Sequence, residues 1–138
     1  MIGPSANSAH EGELPKFRAM AARLNLSGLA NDTKWNELLT AMRSGSVWVP
    51  FFRYRCIDSD FVSSWDAEWW YHVPMPMISV AWMELRHSEY DRRLPAQRVD
   101  HTQELCELLD RIGFDYAMGD HSIRIFGYSP RDTMEIPP

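Results

Sequence analysis

The fold is decided by residues 47–87, VWVPFFRYRCIDSDFVSSWDAEWWYHVPMPMISVAWMELRH, which hold five of the six tryptophans of the chain. Large aromatic side chains bury much apolar area and keep a polar group, so this density indicates a core, a partner surface, or both. Three segments within the stretch have the residue types and the alternation of β-strands, and we interpret them as consecutive strands.

The three predicted strands differ in their expected place in the sheet. The first covers residues 47–56, and Pro50 predicts an edge or a bulge there because proline cannot donate to a ladder. The second covers about residues 67–73 and ends before two prolines. The third covers residues 77–87 and is apolar on both faces over residues 78–83, which predicts a central strand.

Three amphipathic helices are predicted around these strands. The first begins near Pro15, and the second begins at a cap among residues 31–33 and ends at Gly45. Asp100 with Gln103 three residues later has the pattern of a capping box for the third helix. Each helix has apolar residues at the spacing of one helix face.

A hairpin with its turn at Gly119 and Asp120 closes the predicted fold. The order ααβββαββ indicates an α+β fold, with a mainly antiparallel sheet of about five strands and three helices on one of its faces. We expect a flexible N-terminal arm at residues 1–14, one domain at residues 15–128 and an irregular tail at residues 129–138.

Composition limits the function classes. The chain has 138 residues and 45% hydrophobic content, enough for one domain with its own core. The net charge of −5 argues against nucleic acid or an anionic membrane as a partner and favours a basic contact surface. No secretory signal and no membrane-spanning segment is found, which predicts a cytoplasmic protein. Cys56 and Cys106 are expected to be reduced core residues.

The candidate binding site is the loop at residues 58–68, which we call the acidic aromatic loop. Carboxylates steer an approaching basic partner, and aromatic rings supply anchors that become buried on binding. The alternative is a solvated loop whose rings fold back onto the core. The candidate residues are Asp58, Asp60, Phe61, Trp65, Asp66 and Glu68.

Other chemistry has weaker support in the sequence. Asp58 and Asp60 could begin a divalent-cation site, but the loop lacks the glycine and the final glutamate of the twelve-residue calcium loop. Glu68, Trp70 and His72 would share a strand face, which could support acid–base chemistry if it lined a pocket. No metal spacing and no nucleophile or phosphate-binding motif is found, so we predict no metal, no cofactor and no familiar enzyme class.

Three motifs resemble a family of uncharacterised bacterial domains. They are T-K-W-N-E-L-L at residues 33–39, W-D-A-E-W-W-Y-H at residues 65–72 and V-A-W-M-E-L at residues 80–85. The resemblance covers about residues 31–128 and implies no activity, because that family has none established. In size, acidity and tryptophan content the chain is also similar to the immunity proteins of bacterial toxin systems.

The leading interpretation is a cytoplasmic immunity protein that neutralises a cognate toxin by covering its active surface. The alternative is an enzyme or a small-ligand-binding protein with a pocket over the tryptophan-rich sheet, where Glu68 and His72 would make polar contacts.

Overall fold

The computed structural model describes residues 13–90 and 98–132, and it confirms an α+β fold. The helices are α1 (Leu14–Arg23), α2 (Asp32–Ser44) and α3 (Thr102–Ile112). The strands are β1 (Ser27–Gly28), β2 (Phe52–Cys56), β3 (Val80–Arg86), β4 (Ser88–Tyr90), β5 (Arg98–Asp100), β6 (Tyr116–Met118), β7 (Ser122–Phe126) and β8 (Tyr128–Ser129). An antiparallel sheet has the order β2-β3-β7-β6, and β1-β8 and β4-β5 are separate antiparallel pairs.

The central position of β3 is confirmed. It pairs with β2 on one side and with β7 on the other, and its residues are buried from Val80 to Leu85. β2 is an edge of the four-stranded sheet, as Pro50 predicts, and its register shifts between Arg55 and Cys56. The outer edge of β2 is therefore open to pairing with another segment of the chain.

The main core lies between one face of this sheet and the helices α2 and α3. Trp35 of α2 is fully buried, with its ring 5.1 Å from that of Phe114. Trp35 and Phe52 belong to one buried cluster, with Trp48 packed against it, so α2 and β2 share the main core. Other members are Leu38, Leu39, Met83, Leu85, Leu105, Leu109, Ile123 and Ile125.

Helix α1 does not join the other two helices, so the expectation that all three cover one face is wrong. Phe17 and Ala21 of α1 pack in a second cluster with Trp82 and Phe126. Trp82 and Phe126 are a register pair and alternate with the residues of the main core, which places them on the opposite face. Those two apolar side chains need cover there, and α1 supplies it.

A charged group is buried on that same opposite face. Glu84 is fully buried and accepts hydrogen bonds from Arg53 at 3.1 Å, Arg124 at 3.3 Å and Ser122 at 2.8 Å. Asp132 accepts a 3.1 Å hydrogen bond from the indole of Trp82, so the chain after β8 contacts this face as well. The predicted arm and tail otherwise lie mostly outside the described residues, and the domain bounds stay a prediction.

The predicted second strand is wrong. Residues 69–73 form turns and bends, residues 67–68 have no regular structure, and Asp66 makes an isolated bridge to Phe52. The carboxylates of Asp66 and Glu68 accept backbone N–H groups of this segment, and such local bonds compete with a sheet ladder. The third strand also begins later than predicted, because Met77–Ser79 form a short 3-10 helix after Pro76.

The boundaries of α2 follow the predicted signals, and those of α3 do so in part. The side chain of Asn31 caps α2 by accepting the N–H of Lys34 at 2.9 Å, and Gly45 follows the helix at φ 71°. The predicted capping box of α3 is wrong in its second half. Asp100 accepts the N–H of Thr102, but the amide of Gln103 donates to Glu107 further along the helix.

The terminal hairpin of β6 and β7 is confirmed, with a turn one residue later than expected. Gly119 donates to the carbonyl of Ser122 at 2.7 Å, so Asp120 and His121 form the tip. After β7 the chain passes close to β3. A Cβ on Gly127 would lie 2.1 Å from the carbonyl oxygen of Val80, which explains why glycine occupies this position.

Candidate protein-binding surface

The acidic aromatic loop is fixed along the outer edge of β2. Phe52 and Asp66 exchange two backbone hydrogen bonds of 2.8 Å. Ser63 donates its N–H to the carbonyl of Tyr54 at 2.9 Å and accepts the N–H of Tyr54 on its hydroxyl at 3.0 Å. The loop therefore satisfies the outward polar groups of these two strand residues and runs antiparallel to the strand.

One end of the loop presents an aromatic ring beside two carboxylates. Phe61 is 73% exposed, and Asp58 and Asp60 are exposed as well. Its backbone is held in place: the hydroxyl of Ser59 accepts the N–H of Phe61 at 3.0 Å, and Arg55 donates to the carbonyl of Ser59 at 3.1 Å. The structure thus exposes three of the six predicted site residues at this end of the loop.

Trp65 is placed differently from Phe61. Its ring is half-buried, with the guanidinium of Arg53 at 4.7 Å and that of Arg86 at 5.3 Å from the ring centroid. Cation–π contacts of this kind stabilise a ring where it lies. Trp65 therefore covers the charged residues of the sheet, as the alternative of a ring folded back onto the domain predicts.

Asp66 and Glu68 bind the backbone of their own loop. Asp66 accepts the N–H of Glu68 at 2.8 Å, and its other oxygen lies 2.7 Å from Nδ1 of His72. The N–H of Glu68, opposed by a little desolvation and aided by His72, lowers the pKa of Asp66 below its usual range. The carboxylate of Glu68 accepts the N–H of Trp70 at 2.8 Å and that of Tyr71 at 2.7 Å.

We call residues 66–72 the aromatic turn. Consecutive tryptophans point in opposite directions there. Trp69 is buried beside Phe52, with ring centroids 4.5 Å apart, and its indole donates to the carbonyl of Pro50 at 3.0 Å. Trp70 is 58% exposed and Tyr71 is 89% exposed.

The sequence contained a signal for the aromatic turn that the strand interpretation missed. Asp66 and Glu68 are spaced as residues that accept nearby backbone N–H groups, and such side chains favour turns. Tyr71 was not predicted as a site residue, and Trp70 was placed on a strand face. The proposed acid–base row of Glu68, Trp70 and His72 does not form, because these residues lie in a turn.

Arg43 of α2 supports the aromatic turn from the other side. Its Nε donates to the carbonyl of Trp69 at 3.0 Å and its Nη2 to that of Trp70 at 3.4 Å. Its guanidinium lies 4.9 Å from the ring centroid of Trp70. One helix side chain therefore fixes both the backbone and the exposed indole.

Two surface grooves lie elsewhere. One of about 650 Å³ runs between α2 and α3, lined by residues such as Thr40 and Leu108, and one of about 390 Å³ lies beside Arg18 and Tyr128. Glu68 and His72 line neither of them. In residues 13–90 and 98–132, no three histidine, cysteine or acidic side chains are grouped as metal ligands.

The cysteines are free but less buried than predicted. Cys56 and Cys106 are both half-buried. Burial raises the pKa of the Cys56 thiol, an effect that a hydrogen bond with Ser79 partly offsets. Within the part of the chain that the structure describes, every helix falls short of the length and apolarity needed to cross a bilayer.

The fold and the surface define an α+β domain that presents aromatic rings along one edge of its main sheet. The chain belongs to a family of unknown function, DUF6678, whose family model matches residues 17–132. No curated protein and no solved structure matches the chain significantly. The predicted resemblance to an uncharacterised family is confirmed, whereas toxin immunity stays a prediction.

Proposed function

We propose that this chain is a cytoplasmic protein-binding domain that acts as a bacterial immunity protein and neutralises a cognate toxin by direct contact. The observation that carries the proposal is the end of the acidic aromatic loop. Phe61 is 73% exposed, close in sequence to the exposed residues Asp58 and Asp60, and its N–H donates to Ser59, whose carbonyl accepts a hydrogen bond from Arg55 of β2. An apolar ring held in water in this way gains free energy when a partner covers it.

The charges of the chain favour a basic partner surface. The whole chain carries a net charge of −5, and the two exposed aspartates concentrate negative charge near Phe61. Charge at the rim of an interface raises the association rate, and this effect falls as salt screens it. Phe61 becomes buried when the partner binds, and it then governs the dissociation rate, because its ring must be exposed to water again before the partner leaves.

Binding kinetics against the toxin encoded by the adjacent gene test the proposal. The double variant Asp58→Asn with Asp60→Asn should slow association about threefold or more at low salt and little at high salt. Phe61→Ala should speed dissociation roughly tenfold.

A matched control removes the same charge elsewhere. Glu37 and Glu107 are exposed on α2 and α3, away from the loop. Glu37→Gln with Glu107→Gln should leave the association rate close to that of the wild type. If all folded variants keep wild-type kinetics, the acidic aromatic loop is not the contact surface, and if no adjacent gene product binds the wild type, the immunity proposal is wrong.

A further inference from the structure

We infer that the aromatic turn is the main anchor of the contact, and that Trp70 and Tyr71 enter an apolar pocket on a protein partner with a basic rim. The inference rests on the proposed function and adds Trp70 and Tyr71 to the contact surface proposed there. Four observations support it: the exposure of the two rings, the fixed backbone beneath them, their position relative to Phe61, and the surrounding charge.

The exposure of these two neighbouring residues is unusual for their type. Trp70 is 58% and Tyr71 is 89% exposed, although tryptophan and tyrosine bury more area per residue than most side chains when a protein folds. The preceding residue, Trp69, is 3% exposed, which shows that the segment can bury a tryptophan ring. Tryptophan and tyrosine are also the types most enriched among residues that dominate interface energies.

The backbone of the aromatic turn is fixed before any partner binds. Glu68 holds the N–H groups of Trp70 and Tyr71, and Arg43 holds the carbonyls of Trp69 and Trp70. A flexible loop loses conformational entropy when it binds, and this loss weakens the complex. Here folding has already ordered the backbone, so more of the energy of covering the rings remains for affinity.

The aromatic turn and Phe61 lie near the two ends of the outer edge of β2. Val62 is bridged to Arg55 and Asp66 to Phe52, so the loop passes along four residues of β2, which are three residue steps, between these points. Three residue steps of strand correspond to about 10 Å. Phe61 therefore lies beyond one end of this span and Trp70 beyond the other, a spacing that fits within one interface of ordinary size.

The charge around the rings favours a protein over a nucleic acid. Proteins that stack single-stranded bases on aromatic rings combine those rings with a positively charged groove. The edge from Phe61 to Trp70 instead carries the carboxylates of Asp58, Asp60, Asp66 and Glu68, in a chain with a net charge of −5. The guanidinium of Arg43 lies over the ring of Trp70 itself, 4.9 Å from its centroid. A pocket with a basic rim and with acceptors for the indole N–H and the phenol O–H is the complementary surface.

The test measures the affinity of Trp70→Ala and Tyr71→Ala for the purified product of the adjacent toxin gene. Each variant should weaken binding roughly 30-fold, mainly through faster dissociation. Leu24→Ala is the matched control, since Leu24 is 50% exposed and lies at the end of α1. Circular dichroism and urea unfolding confirm that each variant is folded.

The outcomes separate the inference from the proposed function. Weaker binding by both ring variants and wild-type binding by Leu24→Ala support the inference. Wild-type affinity in both folded ring variants overturns it while leaving toxin binding intact.

If the adjacent product does not bind the wild type, the proposed function is overturned and a second measurement decides the inference. A photo-crosslinking residue placed at Tyr71 is irradiated in cells, the adduct is identified by mass spectrometry, and the identified protein is purified. Binding of that protein that weakens roughly 30-fold in Trp70→Ala supports the anchor. The absence of a protein adduct, or an adduct with nucleic acid, overturns it.

Discussion

Arg43 and Trp70 are joined twice, through a 3.4 Å hydrogen bond to the backbone carbonyl and through a guanidinium that lies 4.9 Å from the indole centroid. Because Arg43 belongs to α2, the core helix positions a ring at the surface. Arg43 therefore ties the exposed indole to α2, although Trp70 lies in an irregular segment.

Replacing Arg43 should loosen the aromatic turn without unfolding the domain. Arg43→Ala removes donors to the carbonyls of Trp69 and Trp70, which should lower the free energy of unfolding by about 1–2 kcal/mol. Arg43→Lys keeps the charge but loses the planar pair of donors, so it should retain only part of the stability that Arg43→Ala loses. Urea unfolding gives the energies, and faster proteolysis within residues 66–72 of Arg43→Ala reports the turn. Equal proteolysis of all three proteins would contradict this role of Arg43.

Two tryptophan truncations should differ sharply in stability. Trp35 is fully buried, so Trp35→Ala should cost roughly 3–5 kcal/mol, a large part of the stability of a domain this size. Trp70 is 58% exposed, and Trp70→Ala should cost less than about 1 kcal/mol. Thermal and urea unfolding of both variants measure the difference. A melting temperature of Trp35→Ala within a degree or two of the wild type would show that α2 is placed wrongly.

Acid should open the aromatic turn before it unfolds the domain. Desolvation is the largest single influence on Glu68 and raises its pKa, but the N–H groups of Trp70 and Tyr71 together with His72 outweigh it and lower the pKa from its usual 4.5. A carboxylate with a lowered pKa contributes stability that is complete above its unfolded pKa and is lost as the pH falls through its folded pKa. The backbone amide signals of Trp70 and Tyr71 should therefore titrate with a midpoint below 4.5 in an NMR series.

Glu68→Gln is the control for this titration. The variant lacks the carboxylate, so the amide signals of Trp70 and Tyr71 should lose the corresponding transition. A wild-type midpoint at or above 4.5 would mean that the hydrogen bonds to Glu68 are absent in solution.

The buried charges of the second sheet face should be costly to separate. Glu84→Ala leaves Arg53 and Arg124 without their shared carboxylate, and we expect a loss of roughly 3–5 kcal/mol in the free energy of unfolding. The exposed ion pair of Asp115 and Arg131 is the comparison, and Asp115→Ala should cost less than about 1 kcal/mol. Similar costs for the two variants would show that the Glu84 group is hydrated.

Thiol labelling should distinguish the two cysteines. The raised pKa of Cys56 keeps less of its thiol in the reactive thiolate form, so labelling of the native protein at neutral pH should be slower than that of a free thiol. Both thiols should be titratable without a reductant, since both are free. Single variants Cys56→Ser and Cys106→Ser assign the two rates. Rapid labelling of Cys56, or a mass two hydrogens light before reduction, would contradict this.

The parts of the fold that depend on local pattern could be predicted from the sequence. Gly45 and Gly113 follow their helices with positive φ values, and the apolar residues on both faces of the chain over 78–83 predict the central position of β3. These signals need no information from distant residues. The position of α1 does need it, because Phe17 is covered by Trp82 and Phe126 from remote strands.

The candidate site could be predicted only in part, because contacts from residues remote in the sequence decide which of its side chains are exposed. Phe61 and its neighbouring aspartates are exposed as the composition of the loop indicates. Trp65 is not free, because Arg86 of β3 reaches its ring. Alternation of residue types predicts a strand at residues 67–73, because this pattern carries no information about carboxylates that accept nearby backbone N–H groups.

The loop that carries Phe61 also covers the outer edge of β2. Binding at this loop and the tendency of the protein to aggregate are therefore linked. If residues 58–68 detach while the sheet persists, the chain exposes an unpaired strand and its surface rings together, and both promote pairing between chains. Aggregation on mild heating should then follow protein concentration rather than global unfolding. A partner seated on this segment would keep the strand closed and so lengthen the working life of the protein at high concentration.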